Sequence, residues 1–382
     1  MLSPSYDDRF ASGPTRKIAA WSLSHIDGMQ LGRSHKSPKG LALINRMLTS
    51  LREILEIPPT YKLALINGGA TAATEFLLWN LLGSKPVDMF VAGVFGRHWY
   101  HDVMNELGVR PLHSTVAPIG KSPDFTRYNP DHDCVFVWSD TPSGTVVPSA
   151  DWIPGCRDGL TICDLTSIVF CDNIPWEKLD AASFSLQKGI GGEGGLGVVV
   201  LAPRAVARLD TTTPSWPIPR LYRAPREEGK RTICEDFFQG STINTVSLLT
   251  VSDMLLSLNW AKEIGGLKEL INRVNNNYKI VADWVRNTPW VDFLVKDENI
   301  RSKNSLCVTV INQGKSADWA YLQKMMNYLY SNNLDQGILN HPNSCPSLRF
   351  WLGPVVEEGD IHKMLRWVEE AYSDIVDLCP HP

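Results

Sequence analysis

Along the chain, short runs of apolar and β-branched residues alternate with stretches whose apolar positions recur at helical spacing. Residues 62–67 (Lys-Leu-Ala-Leu-Ile-Asn) read as a buried strand. Gly68-Gly69-Ala70-Thr71 follow, and then helical spacing over 72–82. Residues 87–92 form a second strand-like run and 97–107 a second helical one. Strand-like runs continue at 134–138, 160–163, 182–185 and 197–201. Strands alternating with helices predict an α/β fold with a mostly parallel sheet covered on both faces.

The pattern changes after Asn244. Helical spacing over 245–264 stops at Gly265-Gly266, a C-cap signal. A helix over 267–286, a strand over 306–311, a helix over 317–331, a strand over 347–352 and a helix from Glu357 follow. This predicts a large α/β domain over 19–264. The smaller α+β domain is made of 1–18 and 265–382. The segment 211–233, rich in Pro and Arg, is expected as a long loop within the large domain.

Composition narrows the class. The 382 residues are 43% hydrophobic and 20% charged, within the range of soluble globular chains and outside that of disordered ones. A net charge of -4 gives no general attraction to nucleic acid or anionic lipid. The strongly apolar stretch at 196–202 is far too short to cross a membrane. The N-terminus carries two Asp where a signal peptide needs basic residues, so the expectation is a cytoplasmic protein. None of the eight cysteines forms a C-x-x-C pair, which predicts buried thiols rather than a zinc ribbon. The 13 tryptophans outnumber both the 12 Phe and the 10 Tyr. Trp79, Trp99, Trp260, Trp284, Trp290, Trp351 and Trp367 fall in or beside expected elements, where they would fill a core or a dimer interface. Trp138 would border a site near Thr141.

Three motif matches fail on context. Gly189–Gly194 spells G-x-G-x-x-G, but a strand follows where a dinucleotide site needs a helix. Gly120-Lys121-Ser122 resembles the end of a P-loop, yet Thr115 stands where its first glycine belongs. His98 and His101 lack a third ligand nearby in sequence, so no metal is expected.

The segment 180–203 carries the chemistry. Lys188 follows an apolar strand and opens a glycine-rich loop. Its ordinary reading is a solvent-exposed loop lysine. Its chemical reading is a Schiff-base lysine, because a desolvated amine loses its proton and attacks carbonyls. The adjoining glycines would then let a bulky cofactor approach the backbone. Gly69-Ala70-Thr71 at a strand-to-helix turn offer free N–H groups to a phosphate, or form an ordinary tight turn. Asp164 at a strand end is a turn residue, or a carboxylate that keeps a pyridine nitrogen protonated. All of these fall at the carboxyl ends of strands, where open α/β sheets bind ligands.

Ten stretches together resemble the phosphoserine aminotransferase family, within the class V group of fold-type I pyridoxal-phosphate enzymes. They are 31–37, 68–83, 95–99, 135–144, 163–167, 184–209, 240–245, 260–266, 281–294 and 348–353. The resemblance implies a seven-stranded sheet and pyridoxal 5'-phosphate as cofactor. Lys188 would carry the cofactor as a Schiff base and shuttle a proton, and Asp164 would pair with the pyridinium nitrogen. Phe95 would stack on the ring, Thr141 would bond its hydroxyl, and Gln187, Gly69, Ala70 and Thr71 would meet the phosphate. Asn244 and Thr245 would reach the phosphate held by a neighbouring subunit, implying a homodimer with shared active sites.

Arg349 matches the arginine that clamps the substrate α-carboxylate. The distal anchors depart from the family: Ser34-His35-Lys36 replaces Ser-His-Arg, and Asn340-His341-Pro342 replaces a pair ending in Arg. Arg33, His35, Lys36 and His341 remain candidate substrate contacts, and Arg220, Arg223 and Arg226 of the basic loop are candidate replacements. Two activities stay open. One is glutamate:3-phosphohydroxypyruvate transamination giving phosphoserine, in serine biosynthesis. The other is transamination of another acidic or phosphonate oxo acid in a specialised pathway.

Overall fold

A computed structural model describes residues 9–26, 32–110, 112–334 and 337–378. Helix α1 (Pro38–Ile54) precedes β1 (Lys62–Asn67), α2 (Gly69–Leu81), β2 (Val87–Val91), α3 (Gly93–His101) and β3 (Leu112–Val116). Then come β4 (Asp133–Val137), the short ribbon of β5 (Ser139–Asp140) and β6 (Thr145–Val146), β7 (Thr161–Asp164) and β8 (Ala181–Ser185). Strand β9 (Leu196–Leu201) and helices α4 (Pro203–Thr211), α5 (Leu248–Glu263) and α6 (Gly266–Asn287) follow. The chain ends with β10 (Val291–Phe293), β11 (Ser305–Asn312), β12 (Lys315–Ser316), α7 (Trp319–Ser331), β13 (Leu348–Trp351) and α8 (Glu358–Leu378).

The large sheet has seven strands in the order β1-β9-β8-β7-β4-β2-β3. Only β9 runs against its neighbours, and β3, β2, β4, β7 and β8 pair in parallel. Because β9 reverses direction between β1 and β8, strand β1 also points the same way as the parallel set. The carboxyl ends of β1, β2, β4, β7 and β8 therefore open on one side of the sheet. One face carries the apolar side chains of α1 and α5, and the other those of α2, α3 and α4. A separate cluster joins Phe10 to α6, α7, α8 and the antiparallel strands β10, β11 and β13.

Several elements lie outside the periodicity reading. Helix α1 starts at Pro38, with the Ser37 hydroxyl accepting from the Gly40 N–H at 3.1 Å. Strand β3 is largely exposed and polar, so it lacks the apolar run of a buried strand. The second helix begins at Gly93 rather than 97, and a π-helical turn (Asp102–Glu106) completes it, so Phe95 lies in its first turn. Helix α5 starts at Leu248 with Ser247 as its cap, leaving Asn244 and Thr245 in the preceding loop. The glycines after Lys188 serve two purposes: Gly195 lines the cavity described below, and Gly191 makes room for the chain itself. A Cβ on Gly191 (φ +76°) would lie 2.3 Å from the Arg16 carbonyl oxygen. The chain's own N-terminal segment, rather than a ligand, takes that space.

Candidate active site

At the carboxyl ends of the strands lies a cavity of about 320 Å³. Gly69, Ala70, Thr71, Phe95, Thr141, Asp164, Gln187, Lys188, His341 and Arg349 all line it. The first three come from the β1–α2 turn. Gly68 adopts φ +115°, and a Cβ there would press within 2.6 Å of the Ala72 Cβ, so only glycine makes this turn. Helix α2 has no side-chain cap. Its leading N–H groups thus face the cavity with the positive end of the helix dipole behind them.

Lys188 is buried, and its Nζ donates to Thr141 Oγ1 (2.7 Å) and Ser167 Oγ (3.1 Å). It has hydroxyls where a structural buried lysine would have a carboxylate. Burial first, and then the Arg349 guanidinium, lower its pKa to about 8 against the pull of Asp164 and Asp140. A larger minority of the amine is therefore neutral near physiological pH than in an ordinary lysine, and the neutral form is the one that attacks a carbonyl. The Phe95 ring centroid lies 5.6 Å from Nζ and that of the Trp351 ring 5.9 Å.

Asp164 ends β7 and is buried. Its Oδ1 accepts from the Thr166 N–H at 2.9 Å and its Oδ2 from Trp99 Nε1 at 3.1 Å. Burial raises the pKa of this carboxyl, and hydrogen bonds from Thr166 and Trp99 offset only part of that rise. Its direct partners are neutral, so it is a buried acid disposed towards a cationic ligand. Asp140 is also buried and accepts from the Phe95 N–H (2.9 Å) and the Ser143 N–H (2.9 Å). It thereby ties the first turn of α3 to the Thr141 loop. Arg349 sits on β13, and its Nε is buried with no hydrogen-bond partner among the described residues. Burial and then Arg349 also lower the pKa of His341.

Pyridoxal phosphate fits this cavity on three features of the chain: the uncapped helix end, the buried Asp164 and the carboxylate-free Lys188. The unpartnered Arg349 Nε adds a place for a carboxylate-bearing substrate.

The remaining candidates stand apart from the cavity. Arg33 and Lys36 are exposed, and His35 is buried with an unpartnered Nε2. Asn244 and Thr245 are exposed, and their carbonyl oxygens accept from Asn67 Nδ2. The loop cations do not line the cavity either; Arg226 instead bonds the carbonyls of Leu209 and Thr212. Trp138 packs in the core, whereas Trp99 lines the cavity and Trp351 lies beside Lys188. Ser12, Gly13, Ser139, Thr166 and Ser167 also line the cavity and were missed in the sequence. Trp99 and Asp140 sit inside stretches that carried the resemblance, and their hydrogen bonds need the fold to be seen.

No protein-family model matches the chain. The chain is 37% identical over 365 residues to a phosphoserine aminotransferase of Methanosarcina mazei, covering 95% of this chain and 96% of the relative. Among solved structures, a phosphoserine aminotransferase from Cytophaga hutchinsonii superposes with a TM-score of 0.80 at 18% identity, covering 94% of this chain and 98% of its own. A pyridoxal-phosphate-bound phosphoserine aminotransferase from Trichomonas vaginalis gives 0.78 at 15% identity, covering 96% and 100%. These two show the shared fold. The near full-length match to the Methanosarcina protein carries the assignment further: the chain belongs to the phosphoserine aminotransferase family.

Proposed function

We propose that this protein is a pyridoxal-phosphate-dependent aminotransferase that moves the amino group of glutamate to 3-phosphohydroxypyruvate, giving phosphoserine for serine biosynthesis. The observation that carries this reading is Lys188: a buried amine with a pKa lowered to about 8, held by hydroxyls, in one cavity with Asp164, Arg349 and the α2 N-terminus.

The cofactor, when bound, supplies an electrophilic carbonyl and an electron sink. The leading N–H groups of Gly69, Ala70 and Thr71 hold its phosphate, with Gln187 alongside. Asp164 keeps a proton on the pyridine nitrogen, and Trp99 and the Thr166 N–H favour the ionised form of the carboxylate. Phe95 covers the ring, and Thr141 bonds the ring hydroxyl. Lys188 Nζ would take the proton from the substrate Cα and deliver it to the C4′ carbon of the cofactor. Arg349 clamps the α-carboxylate with its planar fork, and His341 lines the same end of the cavity.

The active unit is a homodimer. Arg33, His35, Lys36, Asn244 and Thr245 stand outside their own chain's cavity, as residues serving a partner's site would. The division into 19–264 and 1–18 plus 265–382 belongs to the same reading. All seven described cysteines are free thiols, which suits a reducing cytoplasm.

A half-reaction decides the activity. Purified holoenzyme mixed with glutamate should lose its Schiff-base absorbance and release 2-oxoglutarate, and Lys188→Ala should do neither. Absence of 2-oxoglutarate from the wild type would sink the proposal. A second reading rests on one observation: besides Lys188, the cavity's own lining gives a substrate only Arg349 and His341 as basic partners. An oxo acid with a carboxylate or phosphonate in place of the phosphate fits that sparse lining. Equal rates with phosphoserine and its unphosphorylated analogue would favour it.

A further inference from the structure

At the other end of the large sheet, three side chains with metal-ligating chemistry meet from distant parts of the chain. Asp88 and His113 are each the second residue of their strands, β2 and β3, and they are direct partners in the parallel register. Their side chains therefore rise together from one face of the sheet. His132 comes from the turn that feeds β4. One ligand atom from each of the three lies within 4.8 Å of the other two. Asp88 is buried, His132 is half-buried and His113 is exposed, so the group has a fixed floor and an open mouth.

The floor is held in place. Asp88 Oδ2 accepts from the Asn129 N–H at 2.8 Å, and Asp88 Oδ1 lies 2.8 Å from His132 Nδ1. The amide nitrogen of Asn129 lies 3.0 Å from His132 Nε2. The His113 ring stacks on the His132 ring at 5.2 Å and 12°. One carboxylate and one imidazole are thus positioned beforehand, and the second imidazole is free to close over them.

We propose that Asp88, His113 and His132 bind a divalent transition-metal ion of the zinc, cobalt or nickel class, away from the catalytic cavity. Two imidazoles and one carboxylate suit these borderline cations, whereas calcium and magnesium take all-oxygen sets. With zinc bonds of about 2.1 Å, tetrahedral donors stand roughly 3.4 Å apart, so the exposed His113 ring has only about an ångström to travel. Binding at His132 Nδ1 displaces the proton that this nitrogen shares with Asp88. The neutral imidazole then carries its proton on Nε2, and Asn129 turns its amide oxygen to accept it. Arg127 also lines this depression, and its exposed side chain turns to solvent as the ion enters. Solvent completes the coordination.

The ion would fasten the edge strand β3 to β2 and to the turn before β4. Asp88 sits at the amino end of β2 and the cavity at the carboxyl end, so more than about 10 Å of strand separates the two. Metal occupancy should therefore leave transamination unchanged.

The test titrates zinc chloride into the pyridoxal-phosphate-loaded enzyme by calorimetry, with cobalt chloride followed by visible absorbance and magnesium chloride as a hard-ion control. The expected result is about one zinc per chain, cobalt d–d bands and no magnesium binding. Affinity should fall by about tenfold or more in His113→Ala and in His132→Ala, and stay unchanged in His101→Ala. Glutamate turnover should be the same in all three variants. No zinc binding, or equal affinity in wild type, His113→Ala and His132→Ala, would overturn the proposal. Equal affinity would place the ion on other donors, such as the exposed Cys156 thiol.

Discussion

At the residue scale, the chemistry rests on groups whose charges are tuned by burial and by one another. The lowered pKa of Lys188, about 8 against an ordinary 10.5, gives two signed expectations. The rate at which cofactor-free protein captures pyridoxal phosphate should rise with pH through about 8 and then level off. Arg349→Met removes a cation and should move that midpoint up, while Asp140→Asn removes an anion and should move it down. Stopped-flow absorbance reads both, and an unmoved midpoint in Arg349→Met would refute the coupling. The linkage runs the same way for folding. Between pH of about 8 and 10.5 the unfolded chain holds a proton that the folded one has lost. Stability of the cofactor-free protein should therefore climb with pH across that window, and Lys188→Met should flatten the climb in urea titrations. Trp99→Phe removes a hydrogen bond to a buried carboxylate, worth about 1.5 kcal/mol or more. The expected loss in kcat/KM is about tenfold or greater, with the holoenzyme still folded by circular dichroism.

At the element scale, two devices shape the cavity. One is the β1–α2 turn, where Gly68→Ala combines a left-handed φ with a Cβ pressed onto Ala72. It should weaken phosphate holding far more than folding, since the turn faces the cavity and overpacking of this kind costs about 1–3 kcal/mol. Equilibrium dialysis of pyridoxal phosphate against urea stability separates the two effects. The other is the N-terminal segment that crosses the site. Ser12 and Gly13 line the cavity, and the Thr15 N–H donates to the Gln187 carbonyl at 3.0 Å. Arg9 and Arg16 both pair with Asp360 of α8, and Lys17 pairs with Asp253 of α5 at 2.7 Å. Asp360→Ala cuts the first of these ties. It should speed cofactor loss on dialysis while sparing the absorbance maximum of the loaded enzyme. Retention equal to wild type would mean that the segment holds its place without α8.

At the scale of the whole molecule, the proposed dimer predicts complementation. Lys188→Ala and Lys36→Ala chains should each be poorly active alone. Refolded together, half of the dimers are mixed and carry one intact site of two, so activity should recover to about a quarter of wild type. Recovery at the level of the separate variants would argue that each chain completes its own site.

Six strands of the large sheet and their alternation with helices were legible because buried strands carry apolar runs and the connecting helices a regular apolar stripe, while the count of seven came from the family resemblance. Lys188 and Asp164 stood out as candidates because they follow strands, whereas Thr141 and Arg349 came from the family resemblance; all four line one cavity. Local pattern did not carry the polar edge strand β3, whose side chains face solvent. It did not carry α1 either, whose start depends on Ser37 as a cap. Nor did it reveal why position 191 is glycine, because the Arg16 carbonyl that fills that space lies 175 positions upstream of Gly191. The hydrogen bond from Trp99 to Asp164 and the meeting of Asp88, His113 and His132 are of the same kind. By itself, the sequence determined the α/β architecture, the family and Lys188 as the candidate Schiff-base lysine. Tertiary structure alone decided which groups share a cavity, how far Lys188 is shifted, and where histidines distant along the chain come together. Burial and through-space charge depend on distance in space, which periodicity along a chain does not record.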